Sequence, residues 1–207
     1  MFLPETAGFA REQDFYDAEK GEICVSFDQD ISFRDENHIK FRQGCPADLD
    51  AVCSLVADAI AEMERRGIHQ WDALYPTRED FAADIQKETL YAAVMQGQIA
   101  AVYVLSRDCD PAYRLVRWSC PDETACILHR LCVAPGAQNR GVGTAVLRHM
   151  ESRLRAWGFE SVRLDVFSEN PAAIRLYEKN GYERRGFADW RKGRFWLMEK
   201  TWTVRGV

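Results

Sequence analysis

One stretch, ACILHRLCVAPGAQNRGVGTAVLRHMESRLRAW from Ala125 to Trp157, constrains the chain more than any other, because it reads as strand, tight turn and long helix in immediate succession. Ala125 to Val133 is short and apolar enough for an interior strand. Strict alternation puts Ile127, His129, Leu131 and Val133 on one face and Leu128, Arg130 and Cys132 on the other. Pro135 and Gly136 end it. Beyond the turn Val142, Val146, Leu147, Met150 and Leu154 recur at helical spacing, so Gln138-Asn139-Arg140-Gly141-Val142-Gly143-Thr144 opens a helix. The first N–H groups of a helix have no internal partner and the macrodipole adds positive charge there, which suits a phosphate. Gly141 and Gly143 lack a Cβ, so the backbone itself can close around the oxygens.

Two common phosphate motifs do not fit. A Walker A loop starting at Gly136 needs Lys where Val142 stands, and a dinucleotide fingerprint needs Gly at position 146, which is Val.

The 207 residues suffice for one domain with a sizeable core, and the formal net charge of −5 leaves no basic footprint for nucleic acid. No apolar run approaches the roughly 18 residues of a membrane span, and the amino terminus lacks a basic start followed by an apolar core, so a cytoplasmic protein without membrane contact is expected. Seven cysteines are scattered and never spaced Cys-x-x-Cys, and the four histidines lie far apart, so neither a disulfide framework nor a metal site is expected.

Residues 1–37 carry a local charge of −7 and leave about +2 for the rest, which marks a boundary between an acidic N-terminal extension and a domain over residues 38–207. The aromatic residues Phe2, Phe9, Phe15 and Tyr16 predict that the extension packs on the domain or across a homodimer. Within the domain the pattern predicts a strand at His38–Arg42, a helix carrying Leu49, Val52, Val56 and Ile60, and a helix Arg78–Lys87 capped by Thr77. A hairpin is predicted over Leu90–Met95 and Ile99–Ser106, and a strand at Ser161–Phe167. Asn170 and Pro171 then start a helix that Asn180-Gly181 stops, and Tyr182–Gly186 with Arg194–Thr201 form a last antiparallel pair.

The turn Gln138-x-x-Gly141-x-Gly143, after a strand ending Val133-x-Pro135, resembles the acetyl-CoA site of the GCN5-related N-acetyltransferase (GNAT) superfamily. A second motif in the right order strengthens this: the strand ending at Phe167, Asn170 at a helix start, Tyr177 two turns along, then Gly181-Tyr182. The resemblance runs from about Ile39 to Trp202 and implies an α/β fold: a mixed, mainly antiparallel central sheet with helices on both faces and a splayed parallel strand pair at the cofactor site.

It further implies an N-acetyltransferase that moves acetyl from acetyl-CoA to a primary amine, a small molecule or a peptide, by direct attack and without a metal. The pantetheine arm would run beside Leu131, Cys132 and Val133, with a backbone N–H near Leu131 polarising the thioester carbonyl. The pyrophosphate would sit on Gln138, Asn139, Arg140, Gly141, Val142, Gly143 and Thr144, and Asn170, Ala173 and Tyr177 would bind the arm from the other side. Tyr177 would protonate the departing thiolate. Trp71, Asp72 and Tyr75 fall in the segment that walls the acceptor in this superfamily. Cys132 reads as a small buried hydrophobe rather than a nucleophile. A catalytically idle acyl-CoA sensor or scaffold is the alternative on the same fold.

An alkylamine with a pKa of about 10 arrives protonated, so a base is needed. His129, in Leu-His-x-Leu-x-Val, resembles the proton-relay histidine of aralkylamine N-acetyltransferases. Asp165 stands twelve residues before Tyr177, where ribosomal-protein N-terminal acetyltransferases carry a catalytic Glu. An unperturbed pKa of about 6.5 favours His129; the duller role for Asp165 is an ion pair with Arg130 or Arg163.

Overall fold

A computed structural model of the chain describes residues 38–202, so the acidic extension and its aromatic residues lie outside the described residues. The strands are β1 (Lys40–Gln43), β2 (Leu90–Met95), β3 (Gln98–Ser106), β4 (Ala125–Val133), β5 (Ser161–Phe167), β6 (Glu183–Trp190) and β7 (Gly193–Thr201). They form one sheet in the order β1-β2-β3-β4-β5-β7-β6, antiparallel except for β4 and β5. The helices are α1 (Leu49–Arg65), α2 (Arg78–Gln86), α3 (Val142–Ala156) and α4 (Pro171–Lys179).

Local chemistry accounts for the boundaries. Thr77 and Asp80 cap α2 reciprocally: Asp80 N–H donates to Thr77 Oγ1 (3.2 Å) and Thr77 N–H to Asp80 Oδ2 (2.7 Å). Asn170 Oδ1 accepts from Ala173 N–H at 3.1 Å to start α4, with Pro171 at the position that needs no N–H. Gln96 and Gly97, with φ of 54° and 78°, make the two-residue turn between β2 and β3.

The apolar stripes decide the layers. Val146, Leu147, Met150 and Leu154 of α3, with Ile174 of α4, cover Leu128, Val162 and Leu164 on one face of the sheet. Val52 and Val56 of α1, with Phe81 and Ile85 of α2, cover Val102, Val104 and Cys132 on the other.

Two features shape the site, the expected splay of the parallel pair and a bulge that strict alternation did not predict. β4 and β5 pair only from Ala125↔Ser161 to Leu128↔Leu164, although β4 runs on to Val133 and β5 to Phe167. Each keeps its outer neighbour, β3 or β7, so the sheet opens between their carboxyl ends. In addition, β4 is bulged. Between the pairs Val104↔His129 and Val102↔Cys132, Tyr103 alone faces Arg130 and Leu131, and Arg130 takes φ of 50°.

The bulge overturns the strict alternation expected for β4. His129 and Cys132 share the face of Val104 and Val102, whereas Leu131 and Val133 pack with Cys126 and Leu128 on the α3 side. His129 is therefore not on the face of Leu131 and Val133. β6 likewise runs four residues beyond the expected end at Gly186. That glycine sits at a register shift, and a Cβ there would lie 2.8 Å from Val116 Cγ2, so it marks a bulge and a close approach rather than a stop.

Candidate active site

The opening between β4 and β5 leads into a cavity of about 330 Å³. Leu128, His129, Arg130 and Leu131 of β4 and Asp165 of β5 line its sheet side. Gln70, Trp71 and Tyr75 enter from the α1–α2 connection, and Asp110 and Tyr113 from the β3–β4 connection. Trp190, Arg191, Lys192 and Phe195 close the far side at the β6–β7 turn. Tyr177 packs in the α3–α4 core, edge-on to Tyr182 at 5.5 Å between ring centroids, and still reaches the cavity where the strands have parted.

Among the described residues Asp165 has no ion-pair partner. Arg163 bonds to Asp122 (2.5 Å), Glu199 (3.4 Å) and the Cys120 carbonyl, and Arg130 forks onto Asp84 (2.6 and 2.9 Å). Asp165 Oδ1 instead accepts from Tyr113 O–H at 2.9 Å. Burial pushes its carboxyl up to about 6, a rise that the Tyr113 hydrogen bond opposes.

His129 moves the other way. Loss of water and the neighbouring Arg130 charge bring it down to about 4. Its Nε2 lies 2.9 Å from the Asp108 carbonyl, which can only accept, so Nε2 carries the hydrogen and Nδ1 holds the lone pair. The preference for His129 rested on an unperturbed imidazole; in this setting Asp165 is the stronger base of the two. Tyr177 is pushed above the ordinary phenol value by burial and by the Asp165 charge, and stays protonated near neutrality.

Trp71 and Tyr75 do line the cavity, and Tyr75 O–H accepts from Arg130 Nη1 at 2.8 Å. Asp72 does not line it. Its carboxylate accepts from Arg191 (2.8 and 3.0 Å) and Lys192 (3.1 Å), so it positions two cations that do. Asn170 uses Nδ2 to donate to Gln70 Oε1 at 2.9 Å, which ties the start of α4 to the same wall.

At the glycine turn, Gly141 holds φ of 81° and Asn139 φ of 60°, and Ala145 N–H bonds to Gly141 O at 2.9 Å. The N–H groups of Val142, Gly143 and Thr144 therefore head α3, whose first turn carries no acidic side chain. This turn fits an anion such as a pyrophosphate. Gln138 Nε2 donates to Val133 O at 3.1 Å and pins the turn to the end of β4, while Arg140 stands in the same turn. A Cβ on Gly143 would meet Leu176 Cδ2 at 3.0 Å, so this glycine also permits close packing of α3 on α4. Ala173 is half-buried beside that core. Cys132 is buried against α1 and its thiol is pushed up to about 12, which leaves no thiolate to act as a nucleophile.

Tyr113, Asp110, Gln70, Trp190, Arg191, Lys192 and Phe195 were not anticipated. The one available signal was Asp110-Pro111, a cap and first-position proline that here start a short 3-10 turn, with Asp110 Oδ1 accepting from Ala112 N–H at 2.8 Å. That turn delivers Tyr113 to Asp165.

The parallel strands part at their carboxyl ends, the glycine turn that heads α3 follows β4, and Asp165 and Tyr177 line the cavity at the parting. The chain belongs to the acetyltransferase (GNAT) family, whose model matches residues 55–182. It is 37% identical over 82 residues to the mycothiol acetyltransferase of Beutenbergia cavernae, covering 39% of this chain and 28% of that protein. It is 38% identical over 55 residues to the [ribosomal protein bS18]-alanine N-acetyltransferase of Escherichia coli K12, covering 27% of this chain and 37% of that one. These matches thus span well under two thirds of either relative. Among solved structures, a GNAT-family acetyltransferase from Streptococcus agalactiae superposes with a TM-score of 0.72 at 20% identity, over 80% of this chain and 96% of that one. The PaiA N-acetyltransferase of Thermoplasma acidophilum, in complex with coenzyme A, gives 0.62 at 18%, over 79% and 99%. At these identities the structures show the shared fold. Among the described residues no cluster of three or more His, Cys, Asp or Glu could hold a metal ion, and no helix is long and apolar enough to cross a membrane.

Proposed function

We propose that the chain transfers an acetyl group from acetyl-CoA to a primary amine by direct attack on the thioester. The observation that carries this reading is the placement of Asp165 and Tyr177 on one cavity at the parting of β4 and β5, one ionised and the other protonated at neutral pH. Asp165, held by Tyr113, accepts the proton that the ammonium must lose, directly or through a water. Tyr177 donates to the departing sulfur. The bulged Leu131 backbone, released from regular pairing with β3, supplies the N–H that polarises the carbonyl. The head of α3 from Gln138 to Thr144 holds the pyrophosphate, and Val133 and Ala173 flank the pantetheine arm.

Holding the two reactants together in this cavity supplies the rest of the acceleration, since an amine is nucleophilic enough once neutral. The test is release of free CoA thiol from acetyl-CoA across a panel of primary amines and peptides. Release above the hydrolytic background with at least one acceptor is expected. Acetyl-CoA binding without release for any acceptor would leave an idle acyl-CoA sensor.

A further inference from the structure

The far lip of the cavity carries a charge that acetyl transfer by itself does not require. Arg191 and Lys192, in the turn between β6 and β7, both donate to Asp72, and among the described residues neither has another carboxylate. Two cations on one anion leave a positive charge at the lip. Asp72 is held well below the usual carboxylate range, first by Arg191, so it stays ionised and keeps both cations in place.

The space between this lip and the reacting end is aromatic. Trp71, Tyr75, Trp190 and Phe195 line the cavity that holds both ends. In the register of β5 and β7, Asp165 stands opposite Leu197, and Gly193 lies four residues farther along β7. At about 3.3 Å per residue that is roughly 13 Å of strand. Asp165, Arg191 and Lys192 all line the cavity, so a molecule that meets both ends has several ångströms to bridge. The cavity of about 330 Å³ is at the small end for ligand sites and suits a small molecule.

We infer that the acceptor is a small primary amine on an aromatic or bulky apolar body, with a carboxylate at the end remote from the amine that Arg191 and Lys192 hold; this rests on the acetyl-transfer reading above. A polyamine would bring a second ammonium against those two cations. A plain alkylamine would leave the lip's charge unanswered. A carboxylate meets the Arg191 fork and the Lys192 ammonium with charge-assisted bonds, and the aromatic walls take the body between.

The test uses the full chain with acetyl-CoA and four acceptors: 4-(2-aminoethyl)benzoate, its neutral carboxamide, phenethylamine and spermidine. The benzoate should exceed the carboxamide and phenethylamine in kcat/KM by about tenfold or more, with spermidine poorest. The double variant Arg191→Gln, Lys192→Met should bring the benzoate-to-carboxamide ratio toward one. A ratio near one in the wild type, a ratio that survives the double variant, or spermidine as the best acceptor overturns the inference. Calorimetry with the N-acetylated benzoate and carboxamide separates this from the reaction itself. Selective binding of the acidic product with no CoA release overturns acetyl transfer alone; CoA release without preference overturns only the acceptor class; neither release nor selective binding overturns both.

Discussion

Replacing Asp165 by Asn should lower activity and raise stability at the same time. The carboxyl titrates near 6 in the folded protein and near 3.9 in an unfolded chain, so the native state binds the proton more tightly. Its favourable contribution is complete below about pH 4 and is lost as pH rises through 6. Two units correspond to about 3 kcal/mol, and because the group is partly open to the cavity the realised cost of ionisation at pH 7.5 is about 1–3 kcal/mol. Asn keeps an oxygen that accepts from Tyr113 and removes the charge, so the melting temperature at pH 7.5 should rise by roughly 2–8 °C and the gain should vanish near pH 4. Over the same range the wild-type acidic limb of kcat/KM, centred near 6, should disappear along with most of the turnover. Tyr113→Phe deletes the Tyr113 hydrogen bond to that carboxylate, worth about 1.5–3 kcal/mol to a charged acceptor, and should move the limb up by about 1–2 pH units. The assays are calorimetric melting across pH and thiol release with saturating acetyl-CoA. An Asn variant that melts lower at pH 7.5, or a Tyr113→Phe limb that stays near 6, would refute the reasoning, and loss of the limb in His129→Gln instead would return the base to the histidine.

Tyr177→Phe keeps the ring and its contact with Tyr182, so turnover should fall roughly tenfold or more while calorimetry shows acetyl-CoA affinity nearly unchanged. Gly141→Ala forces a side chain into φ of 81° and should cost about 1–2 kcal/mol and weaken acetyl-CoA, whereas Gly143→Ala only displaces the flexible end of Leu176 and should melt closer to wild type. His129 and His149 both titrate near 4 when folded against about 6.5 unfolded, so their contribution is present above 6.5 and is lost as pH falls toward 4; two such groups outweigh the opposite trend of Asp165. Melting should therefore drop between pH 7 and 5, and His149→Phe, which can keep the stack on Phe41, should shrink the drop. Asp84→Ala strands the Arg130 guanidinium in a largely buried place and should lower stability by about 3 kcal/mol in a denaturant titration.

What the sequence determined by itself is local. Hydrophobic period, the Thr77 and Asn170 caps and the glycine turn before Val142 each depend on residues a few positions apart, and they placed the strands and helices close to where the structure has them. The linear order of the turn and of Asn170, Tyr177 and Gly181-Tyr182 also pointed to the family whose model matches residues 55–182. Tertiary structure decided everything that depends on which residues meet. No pattern within Ala125–Val133 announces that Arg130 will take a positive φ. That bulge, imposed by pairing with Tyr103 on β3, moved His129 off the face of Leu131. Asp165 and His129 look like an ordinary acid and an ordinary imidazole until burial strips their water and reverses which is the better base. Tyr113 lies 52 residues from Asp165, and Asp72 lies 119 from Arg191, so neither pairing has a local signature. Desolvation and long-range contact are properties of the assembled chain, and the chemistry of this site is written in them.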